Sequence, residues 1–188
     1  MKYIKYKVFT IGAYEKEEQW LNEMSAIGMQ LTGVGVCRYV FEKGLPGEYI
    51  YRLQMLDNIP THPQSVDYIR FVEDTGAEQV GSLLNWVYFR KKAADGPFDL
   101  YSDLDSRLKH YRRIKAVCNA IIPVEFLIGA LNIFIINVDG SWELPNIIYR
   151  TNMLLGLLCI GLGIWIIFIG RSVRKKINIL KKEITIRE

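Results

Sequence analysis

Glu125 is the residue in this chain whose setting most suggests chemistry. It lies near the middle of an apolar run from about Ala116 to Val138 that contains no Lys or Arg. A carboxylate at bilayer depth costs about 2.5–3.5 kcal/mol or more, which makes an intramembrane acid a functional suspect by default. Asn119, Asn132 and Asn137 add polarity to the same run, and Pro123 is placed to kink it. Two readings follow. In one, Glu125, Asn119 and Asn132 line a proton or cation path or sense a ligand in the bilayer. In the other, Glu125 hydrogen-bonds a partner helix and fixes the geometry of a hairpin or a dimer.

Other chemistry-bearing residues are sparse. Cys37, Cys118 and Cys159 lack any metal-ligand spacing and are expected to be reduced and buried. His62, between Pro60 and Pro63, and His110, in a basic stretch, are expected to be solvated. Gly33 and Gly35 fall within a strand pattern and are not followed by the Lys-Ser/Thr of a phosphate loop. No acid is paired with a base at a recognisable spacing, so the expectation is a protein without catalytic residues, cofactor or metal.

Two apolar runs, about 116–138 and 152–170, set the class. A membrane-crossing helix takes roughly 20 mostly apolar residues. Residues 1–113 hold 15 basic and 15 acidic side chains, so the whole surplus of +4 lies beyond them. That distribution fits membrane flanks and argues against a direct nucleic-acid partner. Arg107, Lys109, Arg112, Arg113 and Lys115 precede the first run; Arg171, Arg174, Lys175, Lys176, Lys181 and Lys182 follow the second. Flanking Lys and Arg stay cytoplasmic. Both termini are therefore expected on the cytoplasmic side of a cell membrane, with a short outer loop at 139–151 whose Trp142 and Tyr149 anchor its edges. Gly156, Gly161 and Gly163 on the second run allow close helix approach, within a tight hairpin or at a homodimer seam.

The first 95 residues read as a cytosolic α+β domain. Ile4, Tyr6 and Val8 alternate with Lys5 and Lys7 as in a strand, and a helix with early acids follows over about 14–27. Its Trp20, Met24 and Ile27 fall on one face. Two strands then flank the turn Lys43-Gly44-Leu45-Pro46-Gly47, with a bulge expected at the glycines 33 and 35. A helix over about 64–74 leads to a strand over 77–92 that is continuous or broken near Gly81-Ser82. This order predicts a ferredoxin-like antiparallel sheet with two helices on one face, followed by a two-helix transmembrane hairpin with cytosolic helical extensions. Tyr39, Phe41, Tyr49, Tyr51, Trp86 and Tyr88 cluster on these strands. They either form a partner-binding patch on the open sheet face or pack under the helices. Residues 96–115 are a linker and stalk helix, and 171–188 a basic tail helix. Leu100, Leu104 and Leu108 on one, and Val173, Ile177, Leu180 and Ile184 on the other, have the spacing of a packing seam. The extensions either pair as an antiparallel stalk or leave the tail lying on anionic lipid.

The runs Trp20-Leu21-Asn22-Glu23-Met24-Ser25-Ala26-Ile27-Gly28-Met29, Tyr39-Val40-Phe41-Glu42, Tyr49-Ile50-Tyr51-Arg52 and Trp86-Val87-Tyr88-Phe89-Arg90-Lys91 resemble a bacterial family known as domain of unknown function 2812. Met29 departs from the Trp usual there. The resemblance implies membrane anchoring, no established catalytic residues, and a cytosolic partner of the PadR-like repressor type. The expected function is a membrane-anchored regulatory binding protein. The competing expectation is a small oligomeric transport or resistance component that uses Glu125.

Overall fold

The chain is described by a computed structural model over residues 1–101, 103–138 and 146–187. It divides into two compact units, Met1–His110 and Tyr111–Glu188. The first runs β1 (Lys2–Tyr6), α1 (Tyr14–Ala26), β2 (Met29–Gly35), β3 (Arg38–Lys43), β4 (Tyr49–Met55), α2 (Pro63–Asp74), β5 (Ala77–Leu83) and β6 (Trp86–Lys92).

These strands do not form the single ferredoxin-like sheet expected from their order. They form two three-stranded antiparallel sheets, β1-β3-β2 and β4-β6-β5. The reason is edge occupancy. β3 is bonded on one side to β1 and on the other to β2, which leaves no edge for β4. The segment 77–92 turns back at Leu84-Asn85, and β6 then supplies β4 with its partner from Tyr49↔Lys92 to Met55↔Trp86.

The two sheets are copies of one β-α-β-β plan. Pairs in the first hairpin recur in the second 48 positions later: Leu31↔Phe41 as Gln79↔Phe89, Gly33↔Val40 as Gly81↔Tyr88, Gly35↔Arg38 as Leu83↔Trp86. A bulge interrupts the ladder at the same place in each, between Leu31 and Gly33 and between Gln79 and Gly81. Both helices end on a left-handed glycine, Gly28 (φ 79°) and Gly76 (φ 87°). A side chain at Gly28 would also meet the Gly44 carbonyl at 2.9 Å, so this cap admits no other residue without rearrangement. Where β2 and β5 lie beside each other, a methyl on Gly81 would sit 3.0 Å from Val34.

The copies differ in what their helices bury. α2 covers its own sheet with one face, and Ile69 and Val72 join Leu56, Ala77, Val87, Phe89 and Phe98 in a core. Leu100 packs against that core, so it belongs to the head unit and not to a stalk. Phe98 is likewise buried there, and the third helix begins at Leu104, beyond it. In α1, Leu21 is fully buried, Trp20 lies edge-on to Tyr39 and Phe41 of β3, and a second, polar face is buried as well. Ile27, expected on the inner face, is exposed because α1 has already ended.

The second unit consists of the continuation of α3 (Leu104–Val138) beyond His110, and α4 (Asn146–Arg187). Expected spans and extensions are thus parts of continuous helices. They run antiparallel, since Gly129 approaches Gly156 and Lys176 lies over the Tyr111 ring at 5.3 Å. On α4, Val173, Ile177 and Leu180 are buried and Ile184 is half-buried, a continuous seam at steps of three and four. On α3, Tyr111, Ile114 and Cys118 hold the matching buried positions. Leu108 is buried and Leu104 half-buried, both within the head unit. Trp142, the Tyr149 side chain and most of the expected outer loop lie outside the described residues.

Candidate functional site

The most organised polar cluster in the head unit is the second face of α1. Glu18, Asn22 and Ser25 recur at helical spacing and point at the outer edge of β4. Alternate residues of an antiparallel strand turn their backbone groups toward one neighbour and then the other. In β4 the even positions serve β6, as the bonds from Ala93 N to Glu48 O and from Leu56 N to Asn85 O fix. The odd positions face α1. Leu53 N donates to Glu18 Oε1 at 2.7 Å. Asn22 binds Tyr51 twice, accepting from its N–H at 2.8 Å and donating to its carbonyl at 3.2 Å. The Ser25 hydroxyl donates to Tyr49 O at 2.7 Å and receives Tyr49 N–H at 3.4 Å. Three side chains thus stand in for a neighbouring strand and close an edge that would otherwise be open.

Beside this seam, Glu17 is buried and accepts at one oxygen from Tyr39 Oη (2.7 Å) and Tyr88 Oη (2.6 Å). One carboxyl therefore ties α1 to a strand of each sheet. Burial raises the Glu17 pKa, against the lowering effect of the two hydroxyl donors. Burial likewise pushes Glu18 up to about 7, against the Leu53 N–H and the Arg52 charge. Both tyrosine hydroxyls are pushed up by burial and by the Glu17 charge. Raised acid pKa values in a protein interior suit either proton chemistry or a structural link. Here the bonds are all to backbone and tyrosine groups of the fold itself.

This geometry corrects several expectations. Tyr39, Phe41, Tyr51 and Tyr88 are at most 4% exposed, so they are core and cannot form an open binding face. Tyr49 and Trp86 are half-buried, with Arg90 stacked on Tyr49 at 4.3 Å and Trp86 tilted against Tyr14 at 5.6 Å. His110, expected in solvent, is fully buried and ringed by Tyr14, Trp86 and Tyr101 at 4.8, 5.6 and 5.3 Å. His62 is exposed at the start of α2.

In the helix pair, Glu125 is half-buried and lies beside Gly163 of α4. A methyl on Gly163 would lie 3.5 Å from Glu125 Cβ and 3.1 Å from the Phe126 ring. Asn132 is half-buried and donates to the Ile128 carbonyl one turn back at 2.8 Å; Asn119 is exposed. The three residues do not converge on a common point of the structure. The closest approach is at glycine. A methyl on Gly129 would meet Gly156 O at 3.0 Å, and one on Gly156 would meet Gly129 O at 2.9 Å. Gly161, by contrast, faces open space. Gly156→Leu should therefore push the helices apart. In a Glu125→Cys chain, the disulfide to native Cys159 should form readily, and adding Gly156→Leu should suppress it several-fold. Undiminished cross-linking would show that the glycine contact does not set the spacing.

Compared with known protein families, residues 13–122 match the one described as Protein of unknown function (DUF2812). The chain belongs to this family. The matched stretch runs from α1 through the head unit into α3 and leaves β1 outside it. Among curated proteins and among solved structures, none matches the chain. The α1 seam escaped sequence reasoning because Glu15, Glu17 and Glu18 look like ordinary dipole-favoured acids of a first helical turn. The one available signal was the i, i+4, i+7 spacing of Glu18, Asn22 and Ser25, a polar stripe beside an apolar one.

Proposed function

We propose that this DUF2812 protein is a membrane-anchored, non-enzymatic binding protein whose head unit regulates a cytosolic partner. The observation that carries the anchor is the outer surface of the helix pair. α3 and α4 are long and apolar enough to cross a membrane over Leu104–Phe134 and Arg150–Ile186, yet only 11% and 17% of their most apolar stretches is buried. Leu127, Leu131 and Phe134 on one, and Leu154, Leu158, Trp165 and Phe168 on the other, all face outward. A core helix of a soluble protein would bury such side chains; a hairpin in lipid exposes them. The basic flanks place both termini in the cytoplasm under this reading.

The head's acids support a binding role over a catalytic one. Glu17 and Glu18 are committed to Tyr39, Tyr88 and the β4 backbone. The partner implied by the family resemblance is a PadR-like repressor, held at the membrane when a membrane signal calls for derepression. The transport reading needs Glu125 on a path, whereas its place at the α3–α4 contact beside Gly163 suits a helix-linking role. Co-purification of full-length chain and repressor from detergent extracts tests the proposal. A stoichiometric complex and altered reporter expression on deletion are expected; no complex and an unchanged reporter would reject it.

A further inference from the structure

The duplicated plan makes β1 the counterpart of β4, and only β4 has its outer edge closed. Aligning Phe41 with Phe89 sets Lys2, Ile4 and Tyr6 in the places of Tyr51, Leu53 and Met55. The bond from Lys7 N to Cys37 O shows that odd positions of β1 serve β3. Lys2, Ile4 and Tyr6 therefore turn their backbone N–H and C=O groups away from the sheet. In β4 the equivalent residues Tyr51 and Leu53 are bonded by Asn22 and Glu18 of α1, and Ser25 extends the closure to Tyr49. The corresponding α2 residues are Val66, Arg70 and Glu73, and Glu73 is turned to its own copy, accepting from Gln79 N at 3.4 Å. Among the described residues, none bonds the outer edge of β1. Its side chains are open too: Ile4 is 46% and Tyr6 75% exposed.

We propose that this edge pairs with the β1 edge of a second copy of the chain, antiparallel and centred on Ile4. A two-fold axis at Ile4 sets Lys2 opposite Tyr6 of the second copy, Ile4 opposite its own equivalent, and Tyr6 opposite Lys2. All outward backbone groups of both strands are then satisfied, and the two β1-β3-β2 sheets become one continuous sheet. The other face pairs Tyr3 with Lys5. Each lysine thus meets a tyrosine ring, the kind of contact Lys43 already makes with Tyr3 at 5.9 Å. Moving the register one way by a residue pair sets Lys5 against Lys5, and moving it the other way takes Lys5 and Tyr6 out of the overlap of the two Lys2–Tyr6 strands. The centred register alone avoids facing like charges and uses the whole edge. A closed two-fold contact also ends the exposure, since no further edge is presented at that point.

The test uses the full chain in membranes and in detergent. Ile4→Cys, with the three native cysteines replaced by serine, should form an interchain disulfide under mild oxidation. Tyr3→Cys or Lys5→Cys alone should cross-link several-fold less, and the two co-expressed should cross-link to each other. Ile4→Pro removes an outward donor without touching the inner ladder to β3. It should halve the protein mass measured by light scattering while leaving the thermal midpoint nearly unchanged. A monomeric native chain would overturn the proposal, as would a dimer that survives Ile4→Pro or Tyr3→Cys cross-linking to itself as readily as Ile4→Cys.

Discussion

Replacing Asn22 with leucine should destabilise the head unit by about 2–5 kcal/mol, enough to threaten a domain whose total stability is of the order of 5–15 kcal/mol. Leucine fits the same space but can neither accept from Tyr51 N nor donate to Tyr51 O, both of which Asn22 now satisfies. Each backbone group left without a partner in a half-buried seam costs about 1–3 kcal/mol. Asn22→Asp should be costly as well, because it keeps the acceptor for Tyr51 N but sets a carboxylate oxygen against the Tyr51 and Glu18 carbonyls. Gln19→Leu, which removes only an exposed bond to Glu23, should cost little. Denaturant melts of the full chain, followed by tryptophan fluorescence, separate these cases. Asn22→Leu and Gln19→Leu melting at the same midpoint would mean that the α1 side chains do not close the β4 edge.

Glu18→Gln should stabilise the chain, and by an amount that depends on pH. The folded Glu18 titrates near 7 because burial disfavours its charge, whereas an unfolded chain releases that proton near 4.5. Between these values the fold binds more protons than the unfolded state, so stability falls as pH rises. At about 1.36 kcal/mol per unit, the native chain loses up to about 3 kcal/mol between pH 4.5 and 7 through this group. Glu17, also raised, acts in the same direction. Glutamine keeps a carbonyl oxygen for Leu53 N and carries no charge. The variant should match the native chain below pH 4.5 and exceed it by about 1–3 kcal/mol above pH 7. A difference that shrinks as pH rises would contradict the burial of this carboxyl.

How much of this was legible in the sequence differs by level. Strand and helix periods located most of the elements, and Gly33 does mark a bulge, but 30–42 is a hairpin and not one extended stretch, and Gly81 marks a bulge and a close approach to Val34, not a strand break. The pairing was not legible. A strand's hydrophobic pattern shows which face is buried and says nothing about which edge is free. The repeat was hidden for a related reason. What the copies share is mostly register and turn position, with Gly28/Gly76, Gly33/Gly81 and Phe41/Phe89 among the few identities. The strand aromatics were read as a possible open face because neither the two-sided burial of α1 nor the packing of one sheet on it shows in spacing. Of the site candidates, Glu125 could be located in an apolar run, but its neighbour Gly163 lies on the other helix, and only the register of the pair reveals it. Gly129 went unremarked beside Gly156 for the same reason.

Extraction of native membranes with alkaline carbonate tests the anchoring claim most directly. Full-length chain expressed in bacteria should stay in the pellet and enter solution only with detergent, because the outward leucines, Trp165 and Phe168 of the helix pair need lipid around them. Recovery of the chain in the carbonate supernatant as a folded, detergent-free monomer would contradict the account.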